Sequence, residues 1–135
     1  MLQEVLLSFD YGTKKIGVGI GNTFSFIAKP LEIIFCKNND FFARIGFLIK
    51  YWDVRMVIVG HSLDLDRKEQ EITGLIYHFA DQLIRRFGVK VEFVDESYSS
   101  IEAQQIVKNG NDDAIAAAII LQRYLDDLYF HGDFN

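Results

Sequence analysis

Two short apolar runs, Arg55–Val59 and Val89–Val94, stand on either side of a helical pattern, and no other feature constrains the fold as much. Between them Ile72, Leu75, Ile76, Phe79, Leu83 and Phe87 recur at helical spacing and form one apolar stripe. Asp66 followed by Glu69 makes a capping-box-like start, and Gly88 supplies the stop. Gly74, inside the helix, costs about 1 kcal/mol relative to alanine. Buried strands joined through a helix imply a right-handed crossover and a parallel portion of one sheet.

Upstream, Glu4–Phe9 reads as a strand with Val5, Leu7 and Phe9 on one face. Leu6, Ser8 and Asp10 fall on the other. The turn Asp10-Tyr11-Gly12-Thr13-Lys14 leads to a second strand near Ile16–Ile20, which predicts a hairpin. Leu31–Phe35 is a third strand, and Phe41–Tyr51 a helix with a looser pattern. After Val94, Ser99 and Glu102 repeat the capping-box spacing before a short helix ending near Gly110. Asn111 or Asp112 caps a final helix with the stripe Ala114, Ala118, Leu121, Leu125 and Leu128. The expected fold is α/β: a mixed five-stranded sheet with an antiparallel three-strand start, flanked by helices. Ligands of such sheets gather beyond the carboxyl ends of the parallel strands. Those ends carry Asp10, Gly60-His61-Ser62 and Asp95-Glu96.

The chain has 135 residues, no repeat, no linker-like tract and a single proline, Pro30, so residues 1–135 are expected to form one domain. Half of the residues are hydrophobic (50%), enough for a core without a disulfide or structural zinc. The lone Cys36 excludes an internal disulfide and any CxxC pair, and is expected to act as a small buried hydrophobe. His61, His78 and His131 lack zinc-ligand spacing. Fourteen basic and nineteen acidic residues give a net charge of −5, which argues against a broad phosphate-binding surface. That charge is compatible with a nucleic-acid enzyme whose metal-binding acids add to the excess. The longest apolar run, Ala114–Leu121, is far shorter than the ~18 residues of a membrane span. With no basic stretch ahead of the first apolar residues, a cytoplasmic protein is expected.

Asp10, Glu96 and Asp113 are distant in sequence, yet each lies where an element ends or begins at the same sheet edge. Asp113 sits roughly 40° and 80° around the helix axis from Ala117 and Leu121, so it is expected to turn towards the sheet. Each acid also has a purely structural reading as a turn residue, a strand end or a helix cap. Their joint placement favours chemistry. Three converging carboxylates repel one another unless a cation bridges them or one is protonated. Hard oxygen ligands suit Mg²⁺ or Mn²⁺, and a pair of such ions can activate water and hold a phosphodiester. In Asp10-Tyr11-Gly12-Thr13-Lys14-Lys15-Ile16-Gly17 the glycines permit close approach, while Thr13 and Lys14 offer donors for a phosphate oxygen. D-x-G-T also occurs in sugar-kinase and actin-like ATPases, which need two related domains and a far longer chain.

The segments FDYGTKKIGVGIGN, VIVG, VEFVDESYSS and DDAIAAAIILQRYLD together resemble the YqgF/RuvX family. Its members are named as Holliday-junction resolvases or pre-16S rRNA nucleases and share an RNase H-like fold. The resemblance implies that Asp10, Glu96 and Asp113 are the catalytic, metal-binding acids, holding two Mg²⁺ or Mn²⁺ ions. It places Gly12, Thr13, Lys14, Ser97 and Ser99 on the substrate side. Ser97 stands where the family usually has arginine, Gly60-His61-Ser62 replaces Gly-Leu-Pro, and only Lys108-Asn109-Gly110-Asn111 stands where members often carry a long basic loop. The expected partner is nucleic acid, structured RNA ahead of branched DNA, and the resemblance allows a homodimer. The implied activity is metal-dependent phosphodiester hydrolysis in pre-16S rRNA 5′-end processing. Holliday-junction resolution is the first alternative, and a catalytically weak binding module of the same fold is the second.

Overall fold

The computed structural model describes residues 3–37, 40–61, 67–95 and 112–131. Three strands come first: β1 (Val5–Asp10), β2 (Lys15–Asn22) and β3 (Ala28–Phe35). They are followed by α1 (Phe41–Trp52), β4 (Met56–His61), α2 (Arg67–Phe87), β5 (Lys90–Asp95) and α3 (Asp112–His131). The sheet order is β3-β2-β1-β4-β5. β2 runs antiparallel to β1 and β3, whereas β4 runs parallel to β1 and β5. The mixed five-stranded sheet expected from the sequence is present. The short helix expected between Ser99 and Gly110 lies outside the described residues.

Strand boundaries differ from the sequence reading for physical reasons. β3 starts at Ala28, ahead of Pro30, because an edge strand tolerates a proline that donates no ladder hydrogen bond. β2 starts at Lys15 and continues to Asn22, since Val5 at the other end of β1 pairs with Asn22.

Alternation along the sheet divides the core in two. Leu7 and Phe9 of β1, Ile16 and Val18 of β2, and Val57 and Val59 of β4 pack with Ile45 and Leu48 of α1 and with Ile76, Phe79 and Leu83 of α2. On the opposite face Leu6 and Ile58 meet Ile120, Leu121 and Leu125 of α3. Gly88 ends α2 with a left-handed φ of 67°, the conformation expected of a glycine stop. The α2 stripe is less fully buried than expected: Ile72 and Leu75 are 43% and 42% exposed. Leu75 stands about 100° around the helix axis from the buried Ile76, at the margin of the stripe.

Candidate active site

Three glycines on one face of β2 decide where α3 lies. A Cβ on Gly17 would overlap the Asp113 carbonyl and come within 2.9 Å of the Ala114 amide nitrogen. On Gly19 it would stand 2.9 Å from the Ala118 nitrogen and 3.0 Å from the Ala117 carbonyl carbon. On Gly21 it would reach Leu121 Cδ2 and Leu125 Cδ1, each at 3.0 Å. The helix backbone therefore rests on the strand backbone, with the first turn at Gly17 and later turns running towards Gly21. Two polar contacts hold this placement. The buried Ser8 hydroxyl donates to the Ala117 carbonyl at 2.6 Å. The Gln122 side-chain amide donates to the Phe26 carbonyl and accepts from the Ala28 amide, both at 2.8 Å.

Asp10, the last residue of β1, pairs with Gly17 across the antiparallel ladder. It shares the strand face of Leu6 and Ser8, the face that α3 covers. The structure thus sets the first turn of α3, with Asp113, directly over the Asp10–Gly17 pair. Two of the three expected acids come together at one sheet edge. Glu96, Ser97 and Ser99 lie outside the described residues. β5, which leads to Glu96, ends at Asp95 beside His61 in the parallel ladder. The Arg123 guanidinium of α3 donates to the Asp95 carbonyl at 3.3 Å, tying the strand end to the same helix.

Gly12 allows a tight turn: a Cβ there would meet the Lys15 carbonyl at 2.7 Å. Thr13 and Lys14 are exposed beside it. With Phe35, Cys36 and Lys37 they line an open depression. Cys36 is half-buried rather than fully buried, and burial raises its thiol pKa above the ordinary value of 9.0. The Tyr11 phenol, whose ring lies tilted against Phe79 with centroids 4.8 Å apart, is raised above 10.0 by burial and then by the Cys36 charge.

The sequence reading passed over Lys15. Its ammonium lies 3.1 Å from Asp113 Oδ2, with the two side chains 45% and 30% exposed. The signal was available: Lys15 has the parity of Gly17, Gly19 and Gly21, so it must project onto the α3 face. Lys14, one residue earlier, belongs to the turn. Among the described residues no three carboxylate, histidine or cysteine side chains converge as a metal site. Asp10 and Asp113 are nevertheless hard-oxygen donors set at one edge, and Asp113 already accepts a cation. That donor chemistry fits a divalent metal ion of the magnesium type.

A model of RuvX, described as Holliday junction resolvase, matches residues 4–127. The chain belongs to the RuvX family. Among its relatives is a protein of Bordetella parapertussis named "Putative pre-16S rRNA nuclease", 52% identical over 130 residues that cover 95% of this chain and 98% of that one. A Paraburkholderia xenovorans protein of the same name is 40% identical over 139 residues, covering 98% and 95%. Among solved structures, Thermus thermophilus RuvC in complex with Holliday junction substrate superposes with a TM-score of 0.67 at 14% identity, covering 95% of this chain and 97% of that one. The fowlpox virus resolvase, solved with Holliday junction DNA, gives 0.56 at 16% identity, covering 92% and 98%. Likenesses at these identities bear on the fold alone, and they make it RNase H-like, as the RuvX resemblance implied. Among the described residues no helix is long and apolar enough to cross a membrane.

Proposed function

We propose that this chain is a nuclease that hydrolyses phosphodiester bonds with the help of divalent metal, and that its substrate is structured RNA of the pre-16S rRNA kind. Membership of the RuvX family and 52% identity to a relative bearing the nuclease name support a hydrolase acting on nucleic acid. The observation that carries the reading is the seating of Asp113 over the Asp10–Gly17 pair. It supports the reading because it brings two acidic residues from distant parts of the chain to one end of the sheet. We assign Asp10, Asp113 and Glu96 as the ligands of two Mg²⁺ or Mn²⁺ ions. Such ions, when bound, supply an activated water and charge stabilisation for the leaving oxygen.

The chain's own residues do the remaining work in this reading. Ser8 and the β2 glycines hold the first turn of α3 against the sheet and so fix the Asp113 carboxylate relative to Asp10. Gly12 keeps the turn low, letting a phosphate approach while Thr13 and Lys14 donate to its oxygens. Ser97 and Ser99 are assigned to the substrate side with them. RNA is preferred over a four-way DNA junction because duplex arms need cations on several sides. Here fourteen basic residues face nineteen acidic ones, and only the sequence Lys108-Asn109-Gly110-Asn111 stands where family members often carry a long basic stretch. Residues 1–135 are taken to act as one unit, in the cytoplasm where bacterial pre-rRNA resides.

The test is cleavage by the purified chain, with Mg²⁺ or Mn²⁺, of an RNA carrying the 5′ extension of 16S rRNA and of a four-way DNA junction. Cleavage of the RNA that disappears in Asp10→Asn is the expected result. Efficient resolution of the junction with intact RNA would move the substrate to DNA. Absence of cleavage on both would leave a binding module.

A further inference from the structure

We propose that Lys15 is a place-holding cation for Asp113: without metal its ammonium occupies the carboxylate, and a divalent ion must displace it to bind. This rests on the reading of Asp113 as a metal ligand and adds a residue that sets how tightly metal is held. The ion pair is direct, 3.1 Å from Lys15 Nζ to Asp113 Oδ2. It does not arise from a wandering surface chain, because the Lys15 backbone is fixed at the start of β2 by pairing with Phe35. Strand alternation sends its side chain onto the face where Gly17 admits the first turn of α3. The only freedom left is in the side chain itself, which is 45% exposed and can swing into water at little cost.

Two effects then oppose metal binding. The carboxylate oxygen engaged by the ammonium must be released, and an ammonium that stays nearby repels a divalent ion. At a water-like dielectric, a single charge ~5 Å from a divalent ion changes its affinity by roughly fifteenfold before salt screening. With screening, removal of the Lys15 charge is expected to tighten metal binding by about three- to tenfold. Once exchanged, the ammonium remains at the same edge, within reach of a phosphate brought to the acids.

Calorimetric titration of Mn²⁺ into wild type, Lys15→Gln, Lys15→Arg and Asp113→Asn, without nucleic acid, tests this independently of turnover. Lys15→Gln should bind about three- to tenfold more tightly, and Lys15→Arg, which keeps the charge, should stay near wild type. In the Asp113→Asn/Lys15→Gln double variant, compared with Asp113→Asn, the gain should shrink, because only the through-space repulsion is left once the paired carboxylate is gone. Wild type that binds Mn²⁺ with Lys15→Gln no tighter, or weaker, overturns the place-holding role while leaving the metal site standing. A gain of undiminished size without Asp113 also overturns it, since the effect would then be general charge alone. If neither wild type nor Lys15→Gln binds Mn²⁺, the metal reading itself falls and takes this one with it.

Discussion

Gly17→Ala should displace the candidate site without touching any of its side chains. The added Cβ would overlap the Asp113 carbonyl and lie 2.9 Å from the Ala114 nitrogen, whereas ordinary contact begins near 3.4 Å. Both clashing groups are helix backbone, so no rotamer change can relieve them. Relief of the Ala114 contact alone requires a shift from 2.9 to 3.4 Å, and the carbonyl overlap demands more. The first turn of α3 must lift, taking Asp113 away from Asp10. Overpacking of this kind costs about 1–3 kcal/mol. A catalytic group misplaced by ~1 Å can cost about a hundredfold in rate.

Gly21→Ala provides the control on the same strand face. Its Cβ would meet two leucine methyls at 3.0 Å, which can turn aside, and the Ile27 carbonyl at 3.0 Å. This contact is far from Asp113, so stability should fall by about 1 kcal/mol or more while cleavage stays within about twofold of wild type. Urea unfolding at constant m-value gives the stabilities, and single-turnover cleavage gives the rates. A Gly17→Ala protein as stable and active as wild type would refute the seating of α3 described above. Equal loss of cleavage in both variants would refute the local origin of the effect.

Gly74→Ala should act in the opposite direction: nothing lies within 4 Å of its Cβ, so stability should rise by about 0.5–1 kcal/mol, and a thermal midpoint that fails to rise contradicts this. Asp10→Asn should abolish the thermal stabilisation by Mg²⁺, which for wild type at a hundred times its dissociation constant is about 2.7 kcal/mol; an undiminished response in the variant removes Asp10 from the metal site. The raised values of Cys36 and Tyr11 predict alkaline sensitivity, because burial favours their neutral, protonated forms in the folded chain and the unfolded chain releases these protons first. Their contribution is complete below the ordinary values and is lost as pH climbs, first from 9.0 for the thiol and then from 10.0 for the phenol. The urea midpoint of wild type relative to Cys36→Ala should therefore decline above pH 9.0, and a constant difference would contradict the assignment.

Much of the fold was legible because it depends on local pattern. The two faces of β1, with Leu7 and Phe9 on one and Leu6, Ser8 and Asp10 on the other, follow from a period of two and match the two cores. The parallel pairing of β4 with β1 and β5 follows from the intervening helices. The placement of Asp10 and of the first turn of α3 at one end of the sheet was legible as element ends at one edge. The burial of the whole α2 stripe was not, because periodicity reports which face is apolar and not where its margin meets solvent. Leu75, about 100° around the axis from the buried Ile76, lies at that margin and is 42% exposed.

The ion pair of Lys15 with Asp113 shows what a motif reading passes over. A turn sequence suggests that its central residues meet the ligand, which favours Thr13 and Lys14. What brings Lys15 to Asp113 is parity within β2, counted from the glycines against which α3 packs. Gly17, Gly19 and Gly21 are spaced as one strand face, and a helix can approach that face only where no Cβ stands. Any residue of the same parity on β2 must then point under or beside α3. Lys15 is the next such residue towards the turn, at the point where the helix begins and its first-turn acid is exposed. The pattern that seats the helix therefore also delivers a cation to Asp113, and the two features are one consequence of strand alternation.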